Sequence, residues 1–135
     1  MKPRYLLDTN IVSYFVRGNF PGLRNRIENT PLESFAISSV TEAELLYWVI
    51  SRPERSRIRI AVDDILQWVP SLPWDSLIAQ RHAILKNKML CQGKPLSTED
   101  MMIAAHALAL DLTLITHDTA FAQVDELRTE DWTIA

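Results

Sequence analysis

Short apolar runs alternate with stripes of helical period along this chain, and the alternation sets the expected architecture. Arg4-Tyr5-Leu6-Leu7 ends at Asp8-Thr9-Asn10, as a buried strand does on reaching a polar turn. Thr9 or Asn10 is suited to cap a helix whose apolar face is Ile11, Val12, Tyr14, Phe15 and Val16. Pro21 opens an amphipathic helix to about Asn29, which Thr30-Pro31 breaks. Phe35 to Ser38 is the next strand, and Ser39 begins a helix through Ile50. Pro53 restarts the chain into a long amphipathic helix carrying Ile58, Ile60, Ala61, Ile65 and Leu66. Val69 to Leu72 reads as a third short strand and Asp75 to Cys91 as a helix. Gln92-Gly93-Lys94-Pro95-Leu96 follows as a loop, its glycine placed to stop that helix.

The stretch from Ser97 to Leu110 organises the rest. Ser97 is a good N-cap and Asp100 stands three residues on, as in a capping box. Met101, Ile103, Ala104, Ala107, Leu108 and Leu110 then make a helix apolar on nearly every side, which belongs in a core. Leu112 to Thr116 is β-branched and apolar, a strand, followed by His117-Asp118-Thr119, and the tail from Val124 to Ile134 adds an edge strand. Strands alternating with helices predict an α/β domain with a short, mostly parallel central sheet flanked by helices. In that class the working crevice lies beyond the carboxyl ends of the strands. Asp8, Glu44, Asp100 and Asp118 all fall where they can converge on that edge.

At 135 residues the chain fits one domain, 1–135, with a substantial core. No run approaches the roughly 18 apolar residues of a membrane span, and the N-terminus has no apolar leader. The single cysteine, Cys91, excludes an internal disulfide and a cysteine zinc cluster and points to a reduced, cytoplasmic setting. A net charge of −3 gives no electrostatic footprint for nucleic acid by itself. A set of metal-binding acids would push the charge negative while basic side chains met phosphates.

Carboxylates converging on one point repel each other, so something positive must offset them. A hard divalent cation, Mg²⁺ or Mn²⁺, fits an all-oxygen site and can activate a water for phosphodiester hydrolysis. Asp100 has a rival reading as a helix cap and nothing more; the company of three other acids weakens it. Glu42 completes a capping box from Ser39 and is structural on that reading, which leaves Glu44 as the ligand.

Leu7-Asp8-Thr9-Asn10, Ser38 to Leu45 with Glu44-Leu45, Asp100 to Ala107, and Thr116-His117-Asp118 with Phe121 together resemble the four signature blocks of PIN-domain ribonucleases. They are most similar to the VapC-type toxins of toxin–antitoxin operons. The resemblance covers the whole chain, including the ending Glu130-Asp131-Trp132. It implies a Mg²⁺- or Mn²⁺-dependent endoribonuclease toxin, with tRNA among the candidate substrates, neutralised by a cognate antitoxin. Asp8, Glu44 and Asp100 fall on the family's main acidic positions and Asp118 on a fourth, variable one. Thr9 and Asn10 match supporting neighbours of the first acid, and Thr116 a hydroxyl near the metal. A homodimer, a larger assembly with the antitoxin, and an antitoxin segment that can run toward the active site are implied as well. Tyr47-Trp48 departs from relatives, which often carry glycine after the Glu-Leu block.

Arg52, Arg55, Arg57 and Arg59, with Lys86, Lys88 and Lys94, are candidate RNA-backbone contacts whose rival reading is a solvated face. His106 reads as a core histidine, His117 as a neighbour of the site, and Cys91 as inert. The apolar run Ile11, Val12, Phe15 and Leu45 to Trp48 exceeds what one small sheet needs, which anticipates cover by a second copy and by antitoxin. The alternative function is a non-catalytic PIN-like domain that binds RNA or a partner, though such a module has no use for four mutually repelling acids.

Overall fold

The computed structural model describes residues 2–54 and 56–134. Five short strands form a wholly parallel sheet: β1 (Tyr5–Leu7), β2 (Phe35–Ser38), β3 (Ser71–Leu72), β4 (Thr113–Ile115) and β5 (Thr129–Glu130), in the order β3-β2-β1-β4-β5. The helices between them are α1 (Thr9–Arg17), α2 (Pro21–Glu28), α3 (Ser39–Ile50), α4 (Arg57–Trp68), α5 (Ser76–Cys91) and α6 (Thr98–Leu110).

Alternation along the strands divides the core. Leu6, Ala36 and Leu114 face α5 and α6, where Ile78, Leu85, Met89, Met101 and Ile103 pack on them. Leu7, Phe35, Ile37 and Ile115 face the opposite way, onto Ile11, Val12, Leu23, Leu45 and Val62. Both sheet faces are therefore covered, as parallel strands require. The alanines of α6, Ala104, Ala105 and Ala107, are fully buried, so this helix lies close on the sheet. His106 is buried there too, its Nδ1 2.8 Å from the Ser38 hydroxyl, and burial lowers its pKa. It is the core histidine expected.

Several boundaries differ from the pattern. The long amphipathic helix starts at Arg57, not at Pro53, because Ser56 caps it by accepting from the Ile58 N–H at 3.2 Å. The tail contributes only Thr129–Glu130 to the sheet, after a 3-10 turn from Thr119 to Gln123. Gly93 takes φ +67° just beyond α5, with Lys94 N–H returning to the Met89 carbonyl at 3.0 Å, so the expected glycine stop is present. Ile11, Val12 and Leu45 are inside the core and are not spare surface. Exposed apolar side chains include Leu46, Tyr47 and Ile50 on α3, Ile60 and Trp68 on α4, and Leu77, Ile84 and Leu90 on α5.

Beyond β5, Trp132 is buried against Tyr5 and Phe35, ring centroids 5.0 and 5.8 Å away. Its indole N–H donates to Glu130 at 2.9 Å, and the Arg26 guanidinium lies 4.6 Å over the ring. This one side chain locks the tail against β1 and β2. Trp132→Ala should destabilise the fold by about 3–5 kcal/mol, read as a lower denaturant midpoint at unchanged slope.

Candidate active site

Strand order fixes where the chemistry can sit. From β1 the chain builds outward to β2 and β3, then crosses back to place β4 on the other side of β1. The crevice beyond the carboxyl ends of β1 and β4 is thus the topological switch point. Asp8 leaves β1 directly into it, and Asp118 leaves β4 after Thr116 and His117. α6 runs back into β4 and is much longer than that strand, so its N-terminus with Asp100 reaches the same edge.

Each acid has a specific local anchor. Asp8 is itself the N-cap of α1, its Oδ1 accepting from the Ile11 N–H at 2.8 Å. The expected caps, Thr9 and Asn10, lie inside the helix. Thr9 is thereby freed to donate its hydroxyl to Glu44 Oε1 at 2.7 Å, with the Thr41 hydroxyl 3.0 Å away. Asn10 stands exposed on the first turn. Ser38, not Ser39, caps α3 through the Val40 N–H at 3.1 Å. The Ser39 hydroxyl accepts instead from the Trp74 N–H at 2.9 Å. The capping box from Ser39 is therefore not formed, and Glu42 takes the Ser71 hydroxyl at 2.9 Å. Glu42 holds β3 and leaves Glu44 for the crevice. The Ser97 hydroxyl accepts from the Asp100 N–H at 3.1 Å as expected. Thr116 is buried and takes the Asp118 N–H at 3.0 Å, while Asp118 caps the following turn through Ala120 N–H at 2.9 Å.

The acids sense one another. Burial raises the Asp8 carboxyl from 3.8 to about 6; the Thr116 hydroxyl and Ile11 N–H oppose this, and the charges of Asp100 and Asp118 add to it. Burial likewise raises Glu44, with its Thr9 hydrogen bond opposing and Glu99 and Asp100 adding. Asp100 is raised by burial, then by Asp118 and Glu99, against the Ser97 hydrogen bond. No basic side chain pairs with any of the four among the described residues. Glu99 belongs to this field, though the pattern assigns it no role; its adjacency to Asp100 on a capped first turn is the signal that could have marked it.

An oxygen-only, uncompensated anionic set suits a hard divalent cation. Among the described residues no three such groups close into a cage. Mg²⁺ or Mn²⁺ bound there would keep water in much of its coordination sphere, as Mg²⁺ ordinarily does. The basic candidates separate. Lys88 and Lys94 both pair with Asp125, at 3.2 and 3.4 Å. Lys86 and Arg57 are exposed, Arg59 donates to the Arg52 carbonyl at 3.3 Å, and Arg55 lies outside the described residues. His117 is anchored by Asp131 at 2.8 Å and Thr133 at 2.9 Å.

The pKa of Asp8 makes a stability prediction. A carboxyl raised on folding favours the folded state below its unfolded value and loses that contribution as pH rises through about 6. At neutral pH without metal, the charged Asp8 costs on the order of 3 kcal/mol. Asn keeps the cap acceptor and removes the charge. Asp8→Asn should therefore melt as high as the parent or higher in EDTA at pH 7.5, with the difference gone near pH 4; a lower melt at pH 7.5 would mean that Asp8 is a structural cap.

Comparison with known proteins agrees with this geometry. Residues 5–127 match the PIN domain family. The tRNA(fMet)-specific endonuclease VapC of Shigella flexneri is 31% identical over 96% of this chain and 98% of its own length. Ribonuclease VapC2 of Haemophilus influenzae is 32% identical over the same shares. Among solved structures, DNA-bound VapBC from Salmonella typhimurium superposes with a TM-score of 0.88 at 26% identity, over 98% of this chain and 99% of that one. VapBC-1 of nontypeable Haemophilus influenzae gives 0.82 at 28%, over 96% and 98%. The chain belongs to the PIN-domain family, among its VapC ribonucleases.

Proposed function

We propose that this chain is the endoribonuclease toxin of a toxin–antitoxin pair, one domain over 1–135, whose site is Asp8, Glu44, Asp100 and Asp118. The observation that carries the reading is the set of three carboxyls, Asp8, Glu44 and Asp100, raised first by burial and then by neighbouring acids, and paired with no base among the described residues. Perturbed carboxylates gathered in one crevice mark a functional site.

Asp8, Glu44 and Asp100 would hold Mg²⁺ or Mn²⁺ with Asp118 in support. Bound there, the ion supplies an acidified water and charge stabilisation at the phosphate. The protein's own part is placement. The Thr116 hydroxyl and Ile11 N–H fix the Asp8 carboxylate, Thr9 fixes Glu44, and the first turn of α6 fixes Asp100. RNA as substrate, tRNA as a candidate class, follows the names of the relatives.

The solved neighbours are toxin–antitoxin complexes, which supports a cognate antitoxin here. An apolar cleft of about 410 Å³, lined by Phe15, Ile27, Leu32, Ile65 and Trp68 with Glu28 and Asp64 among its wall residues, offers a seat for an apolar segment with basic flanks. Leu77 and Ile84, seven apart on the outer face of α5 and exposed, offer a surface for a second copy, and both contacts together build the larger assembly.

RNA cleavage should stop in EDTA and return with Mg²⁺ or Mn²⁺; full activity in EDTA would refute the metal reading. Asp8→Asn or Asp100→Asn should reduce cleavage on the order of a hundredfold or more, the scale of losing transition-state charge stabilisation. Growth arrest on expression of the chain alone, relieved by Asp8→Asn, separates the enzyme from a non-catalytic binding domain. An antitoxin Arg or Lys reaching the acids would compete with the ion. Inhibition should then weaken as Mg²⁺ rises at constant ionic strength, and inhibition unchanged over a hundredfold range of metal leaves steric occlusion alone.

A further inference from the structure

The acidic crevice opens into a second region that is cationic and aromatic. A cleft of about 520 Å³ runs between α1 and α3, from Thr9 and Glu44 at one end to Arg17, Tyr47 and Trp48 at the other, with Glu99 also on its wall. Thr9, Ser13 and Arg17 are four apart and share one face of α1, while Glu44, Tyr47 and Trp48 share one face of α3. With a rise of about 1.5 Å per residue, Arg17 stands roughly 12 Å along α1 from Thr9.

Trp48 organises the far end. The guanidinium of Arg17 lies 5.1 Å from its ring centroid and that of Arg52 lies 5.3 Å away. Neither arginine pairs with a carboxylate among the described residues, although acids outnumber lysines and arginines by 17 to 14 in the chain. The Arg52 Nε is buried with no hydrogen-bond partner. A guanidinium near an aromatic ring and without a carboxylate partner keeps N–H donors available for phosphate. On the same cleft Tyr47 is 75% exposed.

We propose that this cleft is the subsite for the single strand flanking the scissile phosphate. Arg17, held beside Trp48, takes a backbone phosphate, and Tyr47 stacks a base. The proposal rests on the nuclease reading, because continuity with the acids selects RNA over a protein occupant. A substrate strand placed at the acids must continue along a groove, and a few nucleotides span the distance to Arg17.

The test uses the Asp8→Asn protein in EDTA, which does not cleave, with a fluorescein-labelled 12-nucleotide oligouridylate. Its dissociation constant is measured by anisotropy across a KCl series. Arg17→Ala should weaken binding about five- to tenfold at low salt and flatten the slope of log K against log[KCl] by about 0.7, one phosphate contact to a single strand. Arg17→Lys should keep the slope and lose part of the affinity. Tyr47→Ala should weaken binding several-fold at unchanged slope, the mark of a stacking contact. Arg81→Ala, which removes the same charge elsewhere, should leave the slope as it was. An Arg17→Ala slope equal to the parent's overturns the subsite and gives these arginines to a protein partner. So does a parent that cannot bind the oligonucleotide while the Asp8 protein still cleaves RNA with Mg²⁺. If the Asp8 protein cleaves no RNA either, the nuclease reading falls with it.

Discussion

Repulsion among carboxylates at the end of one strand pair is the constraint around which this molecule is built. Left to themselves, Asp8, Glu44, Asp100 and Asp118 would separate or take up protons. The rest of the fold prevents the first and tolerates part of the second. β1 and β4 are neighbours in the sheet and deliver two of the acids. α3 and α6 are held against that sheet by Leu45, Ile103 and the small residues of α6, and they deliver the other two. The hydrophobic core supplies the free energy that keeps like charges together.

Hydrogen bonds then decide the orientation of each carboxylate. The N–H of Ile11 and the hydroxyls of Thr9 and Thr116 all donate to acids, so the carboxylates are oriented by the protein's own donors. Such preorganisation means that little has to move when charge is added or removed. The same economy explains Glu42, which is turned away to Ser71 and so keeps a further negative charge from this small crevice.

Much of this was legible in the sequence because a parallel sheet puts chemistry at strand ends, and strand ends can be read from short apolar runs. Asp8 after Leu7, Glu44 in the helix after Ile37, Asp100 on a capped helix and Asp118 after Ile115 could be placed without coordinates. What was not legible depends on single-residue choices among equivalent side chains. Asp8 rather than Thr9 or Asn10 caps α1, and Ser38 rather than Ser39 caps α3. Side-chain hydroxyls and carboxylates at adjacent positions offer the same bond, and only the angle at which the helix leaves the sheet chooses between them. The start of α4 was misplaced because proline and serine are both good openers. Glu99 and the Arg17–Trp48 pair were out of reach for another reason: each acquires its meaning from an element far away in the chain.

The double duty of Asp8 has a consequence for how such a protein can fail. One carboxylate is both the cap of α1 and a member of the charged set, and an amide in its place serves the first duty while abolishing the second. Loss of the charge by that route leaves the cap on α1 in place. An asparagine at this position therefore separates the electrostatics of the crevice from the integrity of the helix that begins there.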